Sequence, residues 1–187
     1  MKGVIFNILE DFVVEGWGED AYEEILSLRP LKTKEPFVGP GTYPDSDLFA
    51  IATAAAEKVG VPLPDALRAF GRFTFPKLAE RYPMFVQDAT SAKSFIFSVH
   101  SVIHVEVRKL YPKAVTPSFT YEDTGEDTLK VNYTSARKLC QFMEGMLAGV
   151  GTHFGESIDV AHSACMLEGA PACIFDLRFG QQQENAA

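Results

Sequence analysis

From Gly3 to Glu15 the apolar residues recur at three- and four-residue steps, so that Val4, Ile5, Ile8, Leu9 and Phe12 share one face of a helix. Gly16 and Gly18 interrupt it, and Glu19–Leu28 repeats the period with Tyr22, Ile25 and Leu26 inward. Residues 30–44 hold four prolines and two glycines, the mark of a loop rather than of a linker between domains. Asp45 or Ser46 is placed to cap a third helix running to Val59, with Gly60 at its end. A fourth begins near Pro64-Asp65 and carries Leu67, Phe70, Phe73, Leu78 and Tyr82; Pro76 inside it has no amide hydrogen and should kink or divide it. Thr90 to Leu110 is helical again, with Pro112 beyond its end, and His100 and His104 are four apart on one face.

After Pro117 the period changes. Ser118–Tyr121 and Thr128–Tyr133 are short β-prone runs with Gly125 in the turn between them. Ser135 is placed to cap a long helix reaching about Phe154. Ser157–Met166 and Ala172–Phe179 then read as a hairpin around Glu168–Pro171, with Cys173, Phe175, Leu177 and Phe179 on one face. The pattern predicts an α+β fold: a helical N-terminal part followed by a small antiparallel sheet with one long helix. There is no internal repeat, and the Gln181–Gln183 tail is the one low-complexity tract.

At 187 residues the chain is most simply one domain, 1–187, large enough for a sizeable core. Hydrophobic residues make up 47%, and 15 phenylalanines suit an apolar pocket as well as a core. The net charge of −8 with no basic run argues against a nucleic-acid surface. Glu10 and Asp11 break the first apolar stretch, so it is neither a signal peptide nor a membrane span. Three cysteines make an odd number for a disulfide framework and point to a reducing, cytoplasmic setting.

Two groups of residues carry candidate chemistry. The first is His104, in the context Ile103-His104-Val105-Glu106-Val107, with Tyr133-Thr134-Ser135-Ala136-Arg137 further on. A neutral imidazole is a good axial ligand for iron. Two hydroxyls and a guanidinium at alternate positions suit carboxylates, because Arg pairs with them through two parallel hydrogen bonds and stays charged. A haem needs both, a nitrogen for its iron and a clamp for its propionates. His100 is the rival ligand. A His-x-x-x-His pair on a helix is also a zinc pattern, but the glutamate of a His-Glu-x-x-His metalloprotease is missing.

His104 in its valine-rich context, Pro117 about a dozen residues on, and Tyr133-x-Ser135-x-Arg137 resemble the bacterial H-NOX (haem nitric oxide/oxygen binding) family, and the similarity runs from Met1-Lys2-Gly3 to Asp176–Phe179. The resemblance implies haem b buried between the helical part and the sheet. His104 would ligate the iron, Tyr133, Ser135 and Arg137 would hold the propionates, and Pro117 would press on the porphyrin and distort it. Oxygen-binding members carry a tyrosine five residues past the motif's arginine, where this chain has Phe142; its expected distal neighbours are Ile5, Leu9, Thr74, Leu78 and Met146. That implies a pocket for nitric oxide that excludes O2, with Thr74 as the one hydroxyl able to compensate. NO would weaken or break the Fe–His104 bond. The chain has no kinase or cyclase motif, so the expected output is a separate histidine kinase or cyclic-di-GMP enzyme.

The second group is Cys140, His162, Cys165 and Cys173. Three thiols and an imidazole make a full tetrahedral zinc shell of the closed structural kind. Four protein ligands leave no open position for a substrate, which disfavours a zinc enzyme. The His-x-x-Cys-x7-Cys spacing departs from ordinary zinc fingers, and buried free cysteines are the alternative. A subset of H-NOX proteins carries a similar set with zinc. Thiolate ligands are oxidisable, so a thiol–zinc redox sensor is the competing function. His153 belongs to no motif and reads as a surface histidine.

Overall fold

The computed structural model describes residues 1–112 and 114–181, so Gln182 and Gln183 of the glutamine tail lie outside it. Four helices come first: α1 (Gly3–Trp17), α2 (Glu19–Leu28), α3 (Asp45–Val59) and α4 (Leu63–Arg81). α1 buries Phe6, Ile8, Leu9 and Val13 against Tyr22, Ile25, Leu48, Ile51 and Phe70 from the other three. At about 1.5–3 kcal/mol for each fully buried side chain, that shared face holds the four helices together. α4 is a single helix. Pro76 sits within it on the exposed side and does not divide it.

The third helix begins differently from expectation. Neither Asp45 nor Ser46 caps it: Pro44 holds the cap position and no side chain accepts there. Asp47, in the first turn and fully buried, instead accepts from the Lys32 and Thr33 amides at 3.0 and 2.9 Å and from the Thr33 hydroxyl at 2.7 Å. It pins the proline-rich loop to α3. Burial alone would raise this carboxyl, but the Thr33 and Lys32 donors outweigh it and hold it below the usual aspartate range. Its contribution is therefore complete above the ordinary pKa of about 4 and is lost as pH falls through the lowered folded value. Asp47→Ala is expected to cost about 2–4 kcal/mol by leaving buried donors unpaired. Urea melts at neutral pH check this, and the difference from the parent should shrink in acid.

The expected helix from Thr90 to Leu110 is present but not regular. Ser91 and Ser94 form a capping box for α5 (Ala92–Ser98), a π-helical turn follows over Val99–Ile103, and α6 (His104–Leu110) completes the run. A π turn adds a residue to the helical loop and is common near functional sites.

The sheet is antiparallel throughout, in the order β1-β2-β4-β3. Its strands are β1 (Ser118–Gly125), β2 (Thr128–Thr134), β3 (Glu156–Ala164) and β4 (Cys173–Gln181). β4 pairs Phe175 with Val131 and Leu177 with Leu129, and all four are buried. α7 (Cys140–Phe154) lays Leu147 and Val150 into the same core. It starts later than the sequence suggests, because Ser135 does not cap it. The Ser135 hydroxyl accepts from the Arg137 amide at 3.2 Å, closing a local turn, and Lys138 takes a positive φ of 49° before the helix opens.

α4 and α7 touch backbone to backbone. A Cβ on Gly71 would lie 2.1 Å from the Phe142 carbonyl oxygen, and one on Gly145 would lie 2.0 Å from that of Arg68. The fold is thus α+β, helices first and then the four-stranded sheet with its long helix. No helix among the described residues is long and apolar enough to cross a membrane.

Candidate functional site

A cavity of about 410 Å³ opens between the N-terminal helices, the α5–α6 run, the sheet and α7. Its wall is overwhelmingly apolar. α1 contributes Ile5, α4 contributes Leu78, and α7 contributes Phe142, Met143, Met146 and Leu147 at helical spacing. The α7 stripe was legible in the sequence as a period of three and four, though nothing there separated cavity from core. Two residues expected on the distal side do not reach the cavity. Leu9 packs into the core of the N-terminal helices, and Thr74 is fully buried with its hydroxyl donating to the Phe70 carbonyl at 2.7 Å.

His104 lines the cavity from the first turn of α6, just after the π turn. Burial, then the charges of His100 and Arg108, push its imidazole down to about 4, so it is neutral at pH 7. Its Nδ1 is buried and has no hydrogen-bond partner among the described residues. His100 is 6.5 Å away between ring centroids but does not line the cavity, and its Nδ1 accepts from the Phe119 amide at 3.3 Å. The two histidines that share a face in the sequence therefore have different surroundings. Pro117 lines the cavity too.

Tyr133, Ser135 and Arg137 gather at the same cavity. Tyr133 and Ser135 are buried, and burial raises the Tyr133 phenol above its usual value. Arg137 is not the first-turn residue of a helix that the sequence suggested. Its Nη1 donates to the Val115 carbonyl at 2.7 Å, and its Nε lies 2.9 Å from Asp45 Oδ2. The other oxygen of Asp45 takes the Met1 ammonium at 2.6 Å. Burial would raise the Asp45 carboxyl, but the ammonium and the guanidinium together hold it below the ordinary range. Sequence reasoning missed Asp45, because its partner lies 92 positions away and no local pattern joins them.

A second cluster lies where α7 meets the closing hairpin. Cys140, Cys165 and Cys173 are buried with their sulfurs within 4.8 Å of one another, and Cys140 and Cys173 are 3.0 Å apart. Burial pushes the Cys140 thiol well above its usual value, and Cys173 and Cys165 add to the effect. His162 stands outside this trio. Its ring lies tilted against Phe175 with centroids 4.4 Å apart, its Nδ1 lies 2.7 Å from Glu144 Oε1, and its Nε2 is buried without a partner among the described residues. His153 is exposed, as expected.

The family model described as Haem-NO-binding matches residues 2–162. An H-NOX protein from S. oneidensis, solved in the Fe(II)NO ligation state, is 34% identical with a TM-score of 0.91, covering 97% of this chain and all of the other. The H-NOX of Shewanella woodyi in the Fe(II)CO ligation state is 26% identical with a TM-score of 0.83, over all of this chain and 97% of that one. Among curated proteins, soluble guanylate cyclase 89Db of Drosophila melanogaster is 21% identical over 157 residues. That match takes in 82% of this chain but only 23% of the cyclase.

Proposed function

The chain belongs to the Haem-NO-binding (H-NOX) family, which binds haem, and from that premise we propose that it senses nitric oxide through a haem b held by His104. The observation that carries the reading is a neutral imidazole, its Nδ1 buried, lining an apolar cavity that also gathers Tyr133, Ser135 and Arg137. A donor set of this kind fits the group: one nitrogen for iron, and hydroxyls with a cation for two carboxylates. Arg137 would hold a propionate while Asp45 and Val115 fix its rotamer, and Pro117 would pack on the porphyrin.

When bound, the haem would supply an iron that takes up a diatomic ligand such as NO, with His104 as the side chain that would tie it to α6. Phe142, Met146, Leu78 and Ile5 line the cavity as an oily wall. The Thr74 hydroxyl is already spent on Phe70, so this wall gives O2 no donor. Such a donor is worth about 1–3 kcal/mol to a charged acceptor, and its absence favours NO. Holding or losing the His104 tether would give α6 two arrangements, with the π turn over Val99–Ile103 as the joint between them. The output is a separate histidine kinase or cyclic-di-GMP enzyme that distinguishes the two arrangements. The chain's own role is sensing, not catalysis.

An absorption spectrum tests this. The ferrous protein should show a Soret band that moves on adding NO and stays in air. A protein that remains colourless when given hemin and reductant would sink the proposal.

The trio of sulfurs favours a second reading, zinc held by Cys140, Cys165, Cys173 and His162 as a structural or redox-sensitive site. The unpartnered Nε2 of His162 is the nitrogen such a shell needs. Metal analysis decides it, since Cys173→Ser should abolish stoichiometric zinc.

A further inference from the structure

We infer that Glu144 is a positioning residue for His162, setting its Nε2 as the nitrogen ligand of a metal site completed by Cys140, Cys165 and Cys173. The inference rests on the zinc reading above and deepens it. Glu144 lies on α7 one turn after Cys140, with its side chain only 16% exposed. Its carboxylate is divided between two partners. Oε1 faces His162 Nδ1 at 2.7 Å, and Oε2 faces Arg68 Nε at 2.8 Å.

An ionised carboxylate accepts and never donates, so in the imidazole form that can ligate a metal the proton sits on Nδ1. That leaves the lone pair on Nε2, the atom that is buried and unpartnered among the described residues. A buried ring nitrogen that no protein group satisfies is a cost to the fold unless something else fills its valence. Metal-bound histidines commonly give their second nitrogen to a carboxylate, which fixes the tautomer and strengthens the ligand. Arg68 plays the next part. It offsets the charge of Glu144, pins its second oxygen from α4, and is itself held by Asp65 at 2.7 Å. The backbone contact between Gly145 and Arg68 keeps α4 close enough for this chain of contacts.

The test uses the full-length chain, with zinc affinity measured by chelator competition and the ligand set read by zinc K-edge X-ray absorption. The parent should bind one zinc through three sulfurs and one nitrogen. Glu144→Ala should bind about 10–100-fold more weakly, as is usual for loss of such a partner, and with a lengthened or missing nitrogen contact. Glu144→Gln keeps an acceptor for Nδ1–H, so it should keep the nitrogen and lose only part of the affinity. Where Glu144→Ala does not fold, Glu144→Gln and Arg68→Ala decide. Parent-like affinity and nitrogen contact in Glu144→Ala, or in both of the others, would overturn the role of Glu144. A parent chain that takes up no zinc overturns the underlying site, a result separate from the first.

Discussion

His104→Gly should weaken haem attachment by about 10–100-fold, roughly 1.4–2.8 kcal/mol, and free imidazole should restore the five-coordinate ferrous spectrum. The substitution removes the one imidazole that lines the cavity among the described residues. His100 is poorly placed to replace it, because its Nδ1 holds the Phe119 amide at the start of β1. Imidazole fits the void because that is the group the substitution deletes. Rescue of the spectrum should nonetheless leave signalling unrescued. A free ligand restores the iron's coordination but not the link to α6, so NO would bind without any effect on the partner. Haem titration, the Soret band with and without imidazole, and the partner's output make three separate readouts. A native spectrum in the glycine variant without imidazole would transfer the ligand role to His100.

The periodicity of the chain was enough to place nearly every helix and strand, because each buries a single face and the face repeats at the element's own period. Phe175, Leu177 and Phe179 alternate as expected and all three are buried. Local geometry was harder to read. The π turn over Val99–Ile103 leaves the surrounding apolar pattern helical, so the extra residue in its register is invisible to a period of 3.6. Ser135 looked like a helix cap because serine commonly is one, but its hydroxyl closes a turn on Arg137 instead. Leu9 and Thr74 were expected beside the distal pocket, yet an inward face can meet a core rather than a cavity, and the sequence does not distinguish them. Long-range polar pairs were the least legible. Asp45 with Arg137, and Glu144 with His162, join elements whose contact is settled only by the packed fold. His104 and the Tyr133-Ser135-Arg137 triplet stood out in sequence through their order and spacing, and the fold brings all four to one cavity.

Phe142→Tyr is expected to make the ferrous protein respond to air, where the parent does not. Phe142 lines the cavity from α7, with its ring 5.1 Å from that of Phe70. Tyrosine adds one hydroxyl to an otherwise unchanged ring, so the packing against Phe70 should survive. Thr74, whose hydroxyl is bonded to the Phe70 carbonyl, does not reach this chamber. Within an apolar wall the new donor has few competing acceptors, so its hydrogen bond goes to whatever charge develops on a bound diatomic. A gain of about 1–3 kcal/mol corresponds to roughly 5- to 150-fold in affinity. NO carries less of that charge and should gain far less. Phe142→Leu separates the donor from the change in volume: it should leave the spectrum in air unaltered while NO still shifts it. If tyrosine and leucine behave alike, the oily wall at position 142 is not what sets the choice of gas, and selectivity must come from the proximal side, from the strength with which His104 holds the iron.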